Sequence, residues 1–190
     1  LVDDGVLIIK FFLHISKKVQ KKRFEQLEQS PATAWKVTRE DWKHHKQYDQ
    51  YLEASEDMLA KTETNFAPWT VIESHDKRFA TVKVFKTVID RIEAKIEEAT
   101  HTQQRVETAI SSPQESPPVS ESFSQGAIEP QNSKIFDRLG SSVLDQVDLS
   151  VDLPPEEYKI ELEACQQRIF ELEHEAYVKR IPVVIVYQGW

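Results

Sequence analysis

The chain has 190 residues, 39% of them hydrophobic, which is enough for one modest domain or parts of two. Its net charge of −8 argues against a general nucleic-acid binder, and a single cysteine, Cys165, excludes a disulfide framework and a cysteine-rich zinc site. The apolar run at residues 6–13 is broken by Lys10 and is too short to span a bilayer, so no membrane association is expected and cytoplasm is the expected location.

Residues 6–16, in GVLIIKFFLHIS, are β-branched and aromatic with no internal Gly or Pro, and predict a strand. Ser16 is placed to cap the helix KKVQKKRFEQLEQ, which Ser30-Pro31 ends. Thr38 followed by Asp41 three residues on is a capping-box pattern, and the helix it opens is expected to run to about Thr62. Pro68 precedes a short strand, WTVIES. Ser74 or Asp76 then opens a helix whose Val82, Phe85, Ile89, Ile92 and Ile96 form an apolar stripe.

Residues 100–148 hold nine serines and four prolines, including SSPQESPPVSESFSQG, and bury too little apolar surface to offset their ordering entropy. They are expected to be a flexible linker, with Ile135, Phe136 and Leu139 docking weakly if at all. Beyond it, Pro154 and Pro155 suit a helix's first turn. Tyr158, Leu162, Cys165, Ile169, Leu172 and Ala176 recur at helical spacing, and Cys165 therefore reads as a buried thiol and not a nucleophile. The closing stretch RIPVVIVYQGW predicts a strand buried on both faces, as in parallel sheets, whose carboxyl end faces the ligand side.

The acidic total hides a basic segment. Between Lys17 and Lys46 nine basic residues stand against four acidic ones, a local charge of +5, so the remainder carries −13. An acidic protein with one concentrated basic stretch is a candidate for binding a compact or polymeric anion. Lys18 and Lys22 share a helix face, with Lys17 and Lys21 in the adjacent row. A solvated charged face and a ligand-facing one both fit that spacing. A second candidate is Ser74-His75-Asp76-Lys77-Arg78, at a strand's carboxyl end and a helix start, where helix capping and anion binding both fit. His44 and His45 are adjacent, point to different sides of a helix and read as surface histidines. No GxxxxGK, GxGxxG, CxxC or HExxH occurs, so no catalytic constellation or metal site is complete.

The wording itself then becomes informative. LHISKK–Q–KRF, DW–HHKQYD–Y, APWTVIE and DKR–ATVKV, within residues 1 to about 96, closely resemble the second half of a polyphosphate kinase 2 family domain. LPPEEYKIELEACQQRIFELEHEAYVKRIPVVIVYQGW resembles the beginning of the same domain, where the strand runs into a GWDAAGKG-like P-loop. The resemblance implies an α/β fold, a P-loop kinase-like parallel sheet with flanking helices, present only in part. It implies residues 1–99 as the end of one copy, 100–148 as the linker and 149–190 as the start of a second copy, with Gly189 as the first P-loop glycine. Two-copy members are typically polyphosphate:AMP phosphotransferases. The implied partners are inorganic polyphosphate and AMP or ADP, with Mg²⁺ held by residues outside this chain and homo-oligomer formation left open. The implied lid residues are Lys17, Lys18, Lys21, Lys22, Arg23, Lys36 and Lys46, with Arg23 as the bidentate clamp. Asp76, Lys77 and Arg78 are the implied nucleotide-side candidates. Without Walker A and Walker B the chain alone is expected to be inactive. A non-catalytic polyanion-binding or scaffolding copy, and another P-loop nucleotide kinase, are the competing readings.

Overall fold

A computed structural model describes residues 4–111 and 143–189, with side chains described for 4–105 and 143–189. Ile135, Phe136 and Leu139 lie outside the described residues. In chain order come β1 (Leu7–His14), α1 (Lys17–Glu28), a 3-10 turn (Ala34–Lys36), α2 (Arg39–Lys46), α3 (Tyr48–Thr62), β2 (Trp69–Glu73) and α4 (Lys77–Ser111). A second 3-10 turn (Leu144–Gln146), α5 (Pro155–Val178) and β3 (Val183–Gly189) follow. The strands form one parallel sheet in the order β2-β1-β3, with Phe11 opposite Thr70 on one side and Tyr187 on the other. The architecture is α/β: a parallel sheet flanked by helices.

The alternation of β1 explains the layering. Leu7, Ile9 and Phe11 face the layer made by α4 and α5, where they join Ile72, Val88, Ile92, Ile96, Leu172 and Ala176 in the main core. Phe12 points the other way, into a smaller cluster with Leu59 and Leu144. Full burial of side chains such as Phe11 and Ile72 contributes roughly 1.5–3 kcal/mol each. Two ion pairs, Lys86–Glu161 and Arg168–Glu93, stitch α4 to α5 at 2.8 and 2.7 Å. Cys165 is buried between these helices, as its place on the stripe implies.

Four expectations are corrected. The segment after Thr38 forms two helices, not one, because Gln47 leaves helical geometry at φ −95°, ψ 15°. Residues 100–111, assigned to the linker, continue α4: HTQQRVETAIS holds good helix formers and no Gly or Pro. Residues 143–148 are also anchored, because Leu144 is 1% exposed and its amide donates to Glu56 Oε1 at 3.1 Å. The terminal strand is not buried on both faces. Among the described residues it pairs with β1 alone, as the edge strand, and Val184, Ile185, Val186 and Tyr187 remain 39–52% exposed.

Candidate functional site

The three strands are parallel, so their carboxyl ends open on one side of the sheet. A cleft of about 400 Å³ lies there, between α1, α2, α3 and the end of β3. Its lining includes Gln20, Arg23 and Phe24 from α1, Tyr51 from α3, and Gln188 and Gly189 from β3.

Ser16 ends β1's run and starts α1, its Oγ accepting from the Val19 amide at 3.4 Å. That cap sets the rotation of α1. Gln20 turns inward, 6% exposed, while Lys18 and Lys22 turn to solvent. Phe24, Trp42 and His45 pack edge to face at 5.4–6.2 Å and hold α2 against α1. The capping box of Thr38 and Asp41 forms as its spacing predicts.

The implied lid residues are not equivalent. Lys17 is drawn to Asp49 at 2.7 Å, and Lys21 to Glu25 at 3.7 Å. Among the described residues Lys18 and Lys22 enter no ion pair, so their charge is available to an anion. Lys36 lies over the Trp35 ring at 5.6 Å, and Lys46 is exposed at the end of α2. Arg23 lines the cleft, but its Nη2 donates to the backbone carbonyls of Ser74 and His75 at 2.5 and 3.1 Å. Burial pushes its pKa down.

The second candidate cluster is a helix start. Asp76 Oδ1 accepts from the Phe79 amide at 2.7 Å and so caps α4, while its Oδ2 accepts from Arg78 at 3.1 Å. Ser74 does not cap; its hydroxyl turns back to the Ile72 carbonyl. Lys77 is exposed at the first position of α4. Gly189 has φ +142°, and a Cβ there would lie 2.3 Å from the Leu13 carbonyl oxygen, so only glycine fits.

Sequence reasoning missed His14, and it named His75 only within the cluster from Ser74 to Arg78, without the partner that the sheet gives it. His14 is 4% exposed with no hydrogen-bond partner for Nδ1, and burial, then the neighbouring His75, pushes its pKa down. His75 Nε2 accepts from the Ser16 amide at 3.0 Å; burial and then Arg23 lower its pKa. The signal was HIS followed by SHD at two strand ends, which becomes a cluster only when the strands pair. Among the described residues no group of three or more His, Cys, Asp or Glu converges. No described helix is long and apolar enough to cross a membrane.

The fold and site define a class: a parallel α/β sheet with a lysine-rich helix following the carboxyl end of its central strand. Residues 1–100 match the family described as Polyphosphate kinase 2 (PPK2), and the chain belongs to that family. It is 46% identical over 94 residues to a polyphosphate:AMP phosphotransferase of Pseudomonas aeruginosa, covering 50% of this chain and 19% of the relative. A polyphosphate:AMP phosphotransferase of Pseudomonas syringae pv. tomato is 41% identical over 93 residues, covering 49% and 19%. A crystal structure of a polyphosphate kinase 2 from Pseudomonas aeruginosa PA01 shares 44% identity over 51% of this chain and 21% of that one, with a TM-score of 0.49. The matched region thus spans about a fifth of these relatives.

Proposed function

We propose that the protein containing this chain transfers phosphate between inorganic polyphosphate and a nucleotide, with AMP as the first acceptor to test. The observation that carries this reading is the cleft at the strands' carboxyl ends, walled by a helix with Lys18 and Lys22 outside and Arg23 inside. The names of the two pseudomonad relatives support polyphosphate and AMP as the substrates.

Phosphoryl transfer demands positioning and neutralisation of charge more than covalent participation by the protein. In this reading Lys18 and Lys22 attract the polyanion as point charges, and Arg23 supplies a planar donor set at the cleft wall. Lys77 and Arg78 serve the nucleotide side. Gly189, packed against the Leu13 backbone, begins the phosphate-cradling loop that the family resemblance implies. Mg²⁺, implied by the family resemblance, would be held by residues other than those described. The tandem organisation, 1–99 ending one copy and 149–190 opening the next, belongs to the same proposal.

The test is an assay of the full-length protein with polyphosphate, Mg²⁺ and AMP, then ADP. Phosphorylation of either nucleotide is the expected result. Binding of polyphosphate without transfer would instead favour the scaffolding reading. The 190-residue chain alone is expected to show no turnover, because losing even one preorganised donor of a phosphate cradle typically costs about 10²–10³ in rate.

A further inference from the structure

We infer that Arg23 is a two-state positioning residue, which holds the turn between β2 and α4 when no anion is bound and must release that turn in order to clamp a phosphate. The inference rests on the polyphosphate reading above.

The geometry of the guanidinium carries the argument. Its planar fork has two edges that can grip an oxyanion with two parallel N–H bonds, Nε with Nη2 and Nη1 with Nη2. Nη2 is common to both. In this structure Nη2 is the atom engaged by the carbonyls of Ser74 and His75, at 2.5 and 3.1 Å. Neither edge can therefore be offered whole to a phosphate while both carbonyl bonds persist. Arg23 as a bidentate clamp and Arg23 as a tie to residues 74–75 are alternative states.

The alternative state is accessible. Arg23 is part-buried on the cleft wall, and among the described residues it faces no carboxylate at ion-pair distance. Two neutral carbonyls satisfy only part of its five donors. Anionic phosphate oxygens are stronger acceptors than carbonyls, so an incoming polyphosphate competes for Nη2 on favourable terms.

Release would be felt beyond Arg23. The Ser74 amide donates to the His14 carbonyl at 2.9 Å, and His75 Nε2 accepts from the Ser16 amide at 3.0 Å. One residue further on, Asp76 caps α4 through the Phe79 amide and holds Arg78. The turn thus joins the cap of α1 to the start of α4. Through it, capture of the polyanion by α1 resets the backbone that positions Asp76, Lys77 and Arg78, the nucleotide-side candidates.

Amide hydrogen exchange on the full-length protein, read at peptides of this chain, tests this, with and without a saturating linear polyphosphate of defined length. The reporters are the Ser16, Phe79 and Ala80 amides, which donate to His75 Nε2, Asp76 Oδ1 and the Asp76 carbonyl in the unliganded state. In wild type, polyphosphate should speed their exchange by about tenfold, the scale of losing a hydrogen bond to a charged group. Arg23→Ala should exchange about tenfold faster without ligand and change no further on adding it. Arg23→Lys keeps the charge but has no fork, so it should bind polyphosphate without the ligand-dependent change. Protection in Arg23→Ala equal to wild type would remove the positioning role. Wild type that binds polyphosphate with unchanged reporters would leave Arg23 a purely structural tie and overturn the two-state assignment. Wild type that does not bind polyphosphate at all would remove the underlying reading and the switch together, a result distinguishable from the other two.

Discussion

Gln20 Oε1 accepts a hydrogen bond from His45 Nδ1 at 2.6 Å, and this bond ties α1 to α2. It fixes the His45 tautomer with the proton on Nδ1, and burial followed by Lys17 and Lys21 keeps the ring's pKa low. An uncharged amide thus faces inward from a helix rich in lysine. Replacing Gln20 by Leu removes the acceptor and leaves a part-buried N–H unpaired. Stability in urea should fall by about 1–2 kcal/mol. An unchanged midpoint would show that the His45 N–H finds another acceptor.

Lys18 and Lys22 face solvent, so Lys18→Ala with Lys22→Ala should leave stability within about 0.5 kcal/mol of wild type, alanine being the better helix former. Polyphosphate affinity should fall, and the slope of log affinity against log salt should flatten by roughly one to two, by analogy with nucleic-acid polyanions. Titrations at several salt concentrations read both quantities. An unchanged slope would make this a solvated face and nothing more.

Leu144 is seated between Phe12 and Leu59, with its amide on Glu56. Leu144→Ala should cost about 2–5 kcal/mol, the range for a fully buried leucine. Calorimetry would read it. Polyphosphate binding should be preserved below the new melting temperature, since Leu144 is absent from the cleft lining.

Buried His14 and half-buried His75 make stability depend on pH. His14 and His75 are held neutral by burial, with folded pKa values below their ordinary 6.5. Above that value both states are neutral and the two groups contribute nothing. As pH falls below it the unfolded chain takes up protons that the folded chain refuses, so stability drops. The melting temperature should decrease between pH 7 and pH 5.5, less steeply in His14→Gln. Glu56 and Asp145, which favour the protonated ring, and His75, which opposes it, set the remaining slope. A flat profile in wild type would contradict this assignment.

What was legible in the sequence is what depends on neighbours along the chain. Ser16 and the Thr38–Asp41 box announce their helices because capping needs only three residues. The stripe on α5 reads correctly because helical spacing alone decides it, and Cys165, Leu172 and Ala176 are buried as expected. The break at Gln47 carries no Gly or Pro and had no local signal. The extension of α4 to Ser111 was hidden by averaging it with the Ser- and Pro-rich stretch that follows. Leu144 stands beside Val143 in a short mixed stretch with no clear period, and only α3 and the sheet together make its pocket. For the site, the lysine-rich face of α1 was readable from spacing. The attachment of Arg23 to Ser74 and His75 was not, because it joins residues some fifty positions apart.

The central claim is that polyphosphate seats at the carboxyl ends of the strands, beneath α1. Titration of the isotopically labelled full-length protein with linear polyphosphate, followed by amide chemical shifts, tests it most directly. The account predicts saturable shifts clustered at residues 16–24, at 74–79 and at Gln188 and Gly189, weakening as salt rises. Shifts confined to other surfaces, such as the outer face of α5, or no shifts under low-salt conditions, would contradict it.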